Sequence, residues 1–272
     1  VNLLPPITQL VTELKMTQDD PKVSKFSLSS WCNNNWRPIL AEFTSTLILV
    51  LFGCMTTIPN QGINTTIYSP FGFGFIVMFN IQIFGHISGA YMNPAVTVGS
   101  MLWGSTSIGL GILHILAECA GATLGYGILI ALSPIDVVAG GVCVTAPYAG
   151  LTNLQALGVE TALTAVLSLI NCAVWDPVNA GKQDSIPIKF GLSIVGLSLV
   201  GGPLTGASMN PARSLAPAVW TAQWTHQWVY WVGPIVGSGV AAVFYKYIFL
   251  KKPINWISHI IRLLDLETIE LI

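Results

Sequence analysis

Ile87-Ser-Gly-Ala-Tyr-Met-Asn-Pro-Ala95 and Leu204-Thr-Gly-Ala-Ser-Met-Asn-Pro-Ala212 are one phrase written twice in the same chain. The flanks keep register with it. Phe73-Gly74 and Phe190-Gly191 each begin 20 residues before the asparagine, and Glu42 and Glu160 precede it by 51 and 50 residues. A match sustained over roughly 95 residues per half marks an internal repeat. Both phrases fall in apolar segments, 86–101 and 203–220. These are too short and too interrupted by Gly and Pro to cross a bilayer, which takes about 20 helical residues.

Six other apolar runs are the candidate spans: 38–58, 70–84, 108–132, 151–174, 188–202 and 227–250. Each half of the repeat holds three. An odd number of crossings forces the second half to lie upside down relative to the first. Paired interrupted segments in such an inverted repeat point to a transport site near the midplane. Irregular backbone at that depth is tolerated only where it is buried in protein or lines a water-filled path.

Composition leads to the same class. The 272 residues carry 11 basic and 12 acidic side chains, so 8% are charged, and the formal net charge is −1. Soluble domains carry about 25%. With 53% hydrophobic residues and a mean hydropathy of +0.67, too few charges remain to cover a surface in water. A soluble enzyme and a disordered chain are excluded, and a balanced charge leaves no footprint for nucleic acid.

The cations are placed asymmetrically. Lys15, Lys22, Lys25 and Arg37 precede the first span, Lys182 and Lys189 lie between the fourth and fifth, and Lys246, Lys251, Lys252 and Arg262 surround the end of the sixth. The loops 59–69 and 133–150 have none. Six spans with both termini cytoplasmic satisfy this bias. The sequon Asn64-Thr65-Thr66 then falls outside, where Asn64 is a candidate glycosylation site. Residues 1–25 are polar and carry no signal-peptide pattern.

Five regions follow: a cytoplasmic tail (1–36), a first repeat (37–132), an extracellular connecting loop (133–150), a second repeat (151–250) and a C-terminal segment (251–272). Trp256, Ile260, Ile261, Leu264 and Leu266 give that last segment the pattern of an amphipathic helix. Cys32, Cys54, Cys119, Cys143 and Cys172 form no CxxC pair, and several sit in apolar runs, so their expected role is that of buried small hydrophobes. The four histidines show no ligand spacing, and no metal or cofactor is implied.

Each Asn-Pro-Ala reads as a helix start, with Asn as cap and Pro at the first helical position. Two half-helices entering from opposite faces meet N-terminus to N-terminus, and their positive dipole ends repel cations at the centre. Paired Asn-Pro-Ala boxes in an inverted six-span repeat resemble the aquaporin (major intrinsic protein) family over residues 38–250. The resemblance implies an all-α membrane protein with six transmembrane helices and two re-entrant half-helices, assembled as a homotetramer in the plasma membrane.

It also implies residue roles. Asn93 and Asn210 donate side-chain N–H to a passing water, beyond serving as helix caps, so that its own hydrogens cannot hold a proton wire. Pro94, Ala95, Pro211 and Ala212 support the boxes. Arg213 is the one Lys or Arg inside an embedded segment away from the span ends, and an intramembrane cation defaults to a functional site. The resemblance places it at an outer constriction, with a structural salt bridge as the alternative. Glu42 and Glu160 accept hydrogen bonds from the re-entrant loops; a catalytic pair is the competing reading, and it lacks any nucleophile, metal cluster or cofactor loop. Glu118 has no assigned role. Tyr91 either narrows the cytoplasmic vestibule or simply packs.

By ungapped register the remaining constriction members are Phe73, Ser198 and Ala207. Water-selective members place a histidine where Ser198 stands. Glycerol facilitators typically pair Trp with Gly and follow the arginine with Asp, whereas here Ser214 follows Arg213. A water-channel framework whose filter histidine is replaced by a small residue resembles the insect entomoglyceroporins. That implies passive passage of water, glycerol and urea. A strictly water-selective channel is the alternative, and a membrane adhesion or scaffold protein with a vestigial pore is the alternative of another class.

Overall fold

A computed structural model describes residues 28–250. The chain divides into units 1–36 and 37–272, and the architecture below is that of the second. The expected amphipathic segment at 251–272 and most of the N-terminal tail lie outside the described residues. Among the described residues eight α-helices run in chain order: α1 (Leu28–Met55), α2 (Thr65–Ser88), α3 (Pro94–Trp103), α4 (Ile108–Leu132), α5 (Asn153–Trp175), α6 (Ile186–Thr205), α7 (Pro211–Thr221) and α8 (Val229–Ile248). Among the described residues no strand occurs.

The ends of α2 and α6 extend past their apolar runs, while α4 matches its run and α8 lies inside its own. α2 starts at Thr65, where the Asn64 side chain accepts from Thr66 N at 3.1 Å, five residues before the run begins. α5 opens on a capping box between Thr152 and Gln155. Gly89 and Gly206 close α2 and α6 in the left-handed region, at φ 95° and 81°. The short α3 ends at Trp103, and Lys246 Nζ from α8 donates to the carbonyls of Leu102 and Trp103 at 3.1 and 2.6 Å. A cation on a helix C-terminus satisfies carbonyls that have no helical partner.

Among the described residues, five helices are long and apolar enough to cross a membrane, on α1, α2, α4, α5 and α6. α8, with 20 residues, is diluted by Gly233, Gly237, Gly239, Pro234 and Lys246. It nevertheless packs along α5 over its length as the sixth candidate span.

Packing follows the repeat. α2 lies against α6, where a Cβ on Gly74 would meet the Gly191 carbonyl at 2.5 Å and one on Gly191 would meet that of Gly74 at 3.0 Å. α4 abuts α1 through Gly121 and Gly125, which sit on the Phe43 and Leu47 carbonyls, and α8 abuts α5 through Gly233 and Gly237. The short helices are shared across halves: α3 packs on α8, and α7 on α4. Small residues allow this approach where no hydrophobic force drives helices together in lipid.

The polarity is inverted relative to a soluble fold. Glu42, Glu118, Glu160, Thr46, Asn80 and His114 are buried, while Phe75, Phe79 and Ile83 on α2 and Ile112, Leu116 and Leu124 on α4 face outward. A belt of that size needs lipid or protein against it.

One expectation is overturned. Cys54 and Cys143 form a disulfide. Local spacing gave no hint, but the fold brings the last turn of α1 and the 133–150 loop to one end of the bundle, with the two Cα atoms 5.4 Å apart. Cys172 is a buried free thiol, as expected of a small hydrophobe, and Cys119 is half-buried.

Candidate functional site

The re-entrant loops before α3 and α7 are built alike. Glu42 and Glu160 are fully buried. Glu42 Oε1 accepts from Ser88 Oγ (2.6 Å) and Tyr91 N (3.0 Å), and its Oε2 from Met92 N (2.7 Å). Glu160 Oε1 accepts from Thr205 Oγ1 (2.7 Å) and Ser208 N (2.9 Å), and its Oε2 from Met209 N (2.8 Å). The loop N–H groups have no helical partner, and leaving each buried and unpaired costs about 1–3 kcal/mol. The carboxylates also hold a backbone that would otherwise relax. Ala90 and Met92 have φ of 48° and 52°, and Ala207 and Met209 have 44° and 53°. Such positions cost about 1–3 kcal/mol each and persist only where their surroundings over-determine them.

Asn93 and Asn210 are extended caps, with Pro94 and Pro211 at the first turn. Asn93 Oδ1 accepts from Ala95 N at 2.9 Å, and Asn210 Oδ1 from Ala212 N and Arg213 N at 3.0 and 3.2 Å. Each amide also reaches across the junction. Asn93 Nδ2 donates to Met209 O at 2.8 Å, and Asn210 Nδ2 to Met92 O at 2.7 Å. The half-helices are therefore clasped N-terminus to N-terminus. An amide nitrogen carries two hydrogens, so one on each asparagine remains after the clasp. Ala95 and Ala212 are fully buried in the first turns.

A single cavity of about 830 Å³ is lined by residues from both ends of α2, from Thr65 and Thr66 to His86, and includes Asn93 and Asn210. Phe73, Ser198, Ala207 and Arg213 line it together. The Arg213 guanidinium carbon lies 5.2 Å from the centre of the Phe73 ring, and Nη1 donates to Cys143 O at 2.6 Å. Among the described residues no carboxylate hydrogen-bonds the Arg213 side chain; its charge is held by the Cys143 carbonyl and the Phe73 face. Tyr91 lines the same cavity, donates to or accepts from Thr106 Oγ1 at 3.2 Å, and packs edge-on against Trp175. Asn64 is exposed at the α2 cap.

The family model described as Major intrinsic protein matches residues 28–245. The chain belongs to the major intrinsic protein family. Within it, aquaporin-4 of Mus musculus is 39% identical over 224 residues, covering 80% of this chain and 69% of that one. The lens fiber major intrinsic protein of Rattus norvegicus is 35% identical over 218 residues, covering 80% and 82%. Among solved structures, the aquaglyceroporin from Plasmodium falciparum matches with a TM-score of 0.72 at 24% identity, over 85% of this chain and 99% of that one, a likeness of fold. Major intrinsic proteins are channels, not enzymes, and this one is a multi-pass membrane channel for water or small solutes.

Several contributors to the site escaped sequence reading. Ser88 and Thr205 are repeat-equivalent hydroxyls on the two carboxylates, a signal present in the duplicated phrase itself. Glu118 Oε1 accepts from Thr97 Oγ1 at 2.6 Å and so ties α3 to α4. The carbonyl of Cys143 is invisible to side-chain patterns.

Proposed function

We propose that the channel passes water and small uncharged solutes, glycerol and urea among them, and excludes protons and ions. The observation that carries this reading is the common lining of Phe73, Ser198, Ala207 and Arg213 around one cavity. With a hydroxyl at 198, this ring lacks the imidazole of the water-selective pattern and is wider by that difference. Phe73 offers an apolar wall for the carbon edge of a polyol. Arg213 has five N–H donors, of which one is engaged by Cys143 O, so donors remain for solute oxygens. Selection then rests on diameter, lining and the fixed cation.

At the junction, the second hydrogen on each of the Asn93 and Asn210 amides orients a permeating water, whose own hydrogens point away along the path and cannot relay a proton. The half-helix dipoles add a positive potential that opposes cations.

The side bearing loop 133–150 is assigned to the outside and both termini to the cytoplasm, in a plasma-membrane homotetramer. The cation distribution supports the orientation, and so does the disulfide on that loop, since such bonds persist in oxidising compartments. Asn64, exposed on the same side by this assignment, is the proposed glycan acceptor.

Stopped-flow light scattering on proteoliposomes tests the solute reading. Wild type is expected to pass both water and glycerol. Water passage with glycerol excluded would overturn it in favour of a strictly water-selective channel, and passage of neither would favour a scaffold role.

A further inference from the structure

The last turn of α1 seats Phe73 directly and reaches Arg213 through Cys143. A Cβ on Gly53 would lie 2.5 Å from the Phe73 ring, so the absence of one gives that ring its seat. The next residue, Cys54, is bonded to Cys143. Cys143 in turn presents the carbonyl that holds Arg213 Nη1 at 2.6 Å, and Phe73 and Arg213 face each other at 5.2 Å. Two adjacent residues on one helix thus fix the two side chains that border the narrowest expected part of the path.

The conformation of Cys143 shows why a covalent tether matters. Its φ is 67°, in the left-handed region that a cysteine rarely adopts. The direction of its carbonyl depends on that torsion. The flanks are held by Tyr126 Oη donating to Val142 O at 2.7 Å and by Thr145 Oγ1 donating to Ser214 Oγ at 2.8 Å. These bonds hold residues 142 and 145, and Val144 N donating to Gly141 O at 3.2 Å closes a turn around residue 143. The disulfide adds a covalent restraint to that turn by fixing the Cys143 side chain to α1. A strained residue persists where its surroundings over-determine it, and here the strained residue is also the guanidinium acceptor.

We propose that the Cys54–Cys143 disulfide is a specificity-determining element that positions Arg213 through the Cys143 carbonyl, so that losing the bond loosens the constriction and favours glycerol over water. The proposal rests on the reading of Phe73, Ser198, Ala207 and Arg213 as the constriction. Cys54 and Cys143 act here as positioning residues and touch no permeant through their sulfurs.

The test measures the glycerol-to-water flux ratio by stopped flow in proteoliposomes for wild type, the Cys54→Ala/Cys143→Ala double variant, Arg213→Ala, and the three substitutions combined. Wild type is also measured after reduction in already formed proteoliposomes. Dithiothreitol supplies two electrons and two protons, becomes a cyclic disulfide and leaves two thiols, and thiol titration verifies the cleavage. This arm stands even where the double variant fails to fold. A ratio is the right readout because loss of folded channels lowers both fluxes together.

The ratio is expected to rise at least threefold on removal or reduction of the disulfide, and removal is expected to add nothing once Arg213 is alanine. Both fluxes falling in parallel at a constant ratio would overturn the proposal and leave the disulfide a fold staple. A ratio shift that survives in the Arg213→Ala background would overturn it as well. An Arg213→Ala ratio equal to wild type would instead sink the constriction reading on which the proposal stands.

Discussion

The two halves of this channel share one chassis and use it differently. In each, a buried glutamate accepts from one hydroxyl and two loop N–H groups, two non-glycine residues take positive φ, and an asparagine clasps the opposite loop. The divergence begins after the box. Val96 follows the first Asn-Pro-Ala and Arg213 the second; Ile81 stands in the first half where Ser198 stands in the second. The half-helices are also braced differently. Thr97 on α3 donates to Glu118 of α4, whereas its counterpart Ser214 on α7 bonds Thr145 of the connecting loop, and Gln227 donates to the Ser214 carbonyl. Scaffold chemistry is therefore duplicated, whereas three of the four proposed constriction members, Ser198, Ala207 and Arg213, lie in the second half.

The largest expected effect tests the shared part. Glu42→Ala and Glu160→Ala each strip three hydrogen bonds from a buried carboxylate, two of them to backbone N–H groups. Each is expected to destabilise by about 3–6 kcal/mol, leaving little monodisperse channel on size exclusion. Loss confined to one of the two variants would break the equivalence of the halves.

Copying the first half into the second comes next. Arg213→Val, which reproduces Val96, is expected to fold with near wild-type yield, because it removes a buried cation together with its hydrogen bond. It is expected to shift the glycerol-to-water ratio at least threefold by stopped flow. An unchanged ratio would remove the functional asymmetry.

The brace on α3 carries a smaller effect. Glu118→Ala orphans the Thr97 hydroxyl and is expected to cost about 1–3 kcal/mol in thermal unfolding, with flux per folded channel unchanged. Glu118→Gln keeps an acceptor and is expected to stay within about 1 kcal/mol of wild type. The smallest effect belongs to Asn64→Gln, expected to abolish a glycosidase-sensitive electrophoretic shift in protein from a glycosylating host and to leave both fluxes alone.

Much of this arrangement is legible in one dimension because the repeat is. The duplicated phrase, its two glutamates and the caps at Asn93 and Asn210 are all side chains whose spacing survives in the sequence. Hydropathy finds the interiors of the spans and misses their ends, as at α2, where Asn64 starts the helix before the apolar run. Least legible are the parts that depend on proximity alone. Cys54 and Cys143 are 89 residues apart, and the acceptor for Arg213 is a backbone carbonyl, which every residue has. Only the placement of both cysteines on the cation-poor side of the spans linked them in the sequence.

The central claim, that solute selection sits in the second half on a scaffold both halves share, is tested most directly by a matched pair. Ser198→His and Ile81→His place the same imidazole at repeat-equivalent positions lining the same cavity, and stopped-flow glycerol and water fluxes are compared. Ser198→His is expected to lower glycerol flux about tenfold while water flux falls by less than about twofold, with each tenfold change equal to about 1.4 kcal/mol. Ile81→His is expected to leave the ratio unchanged. Equal loss of glycerol from both variants, or from neither, would contradict the account.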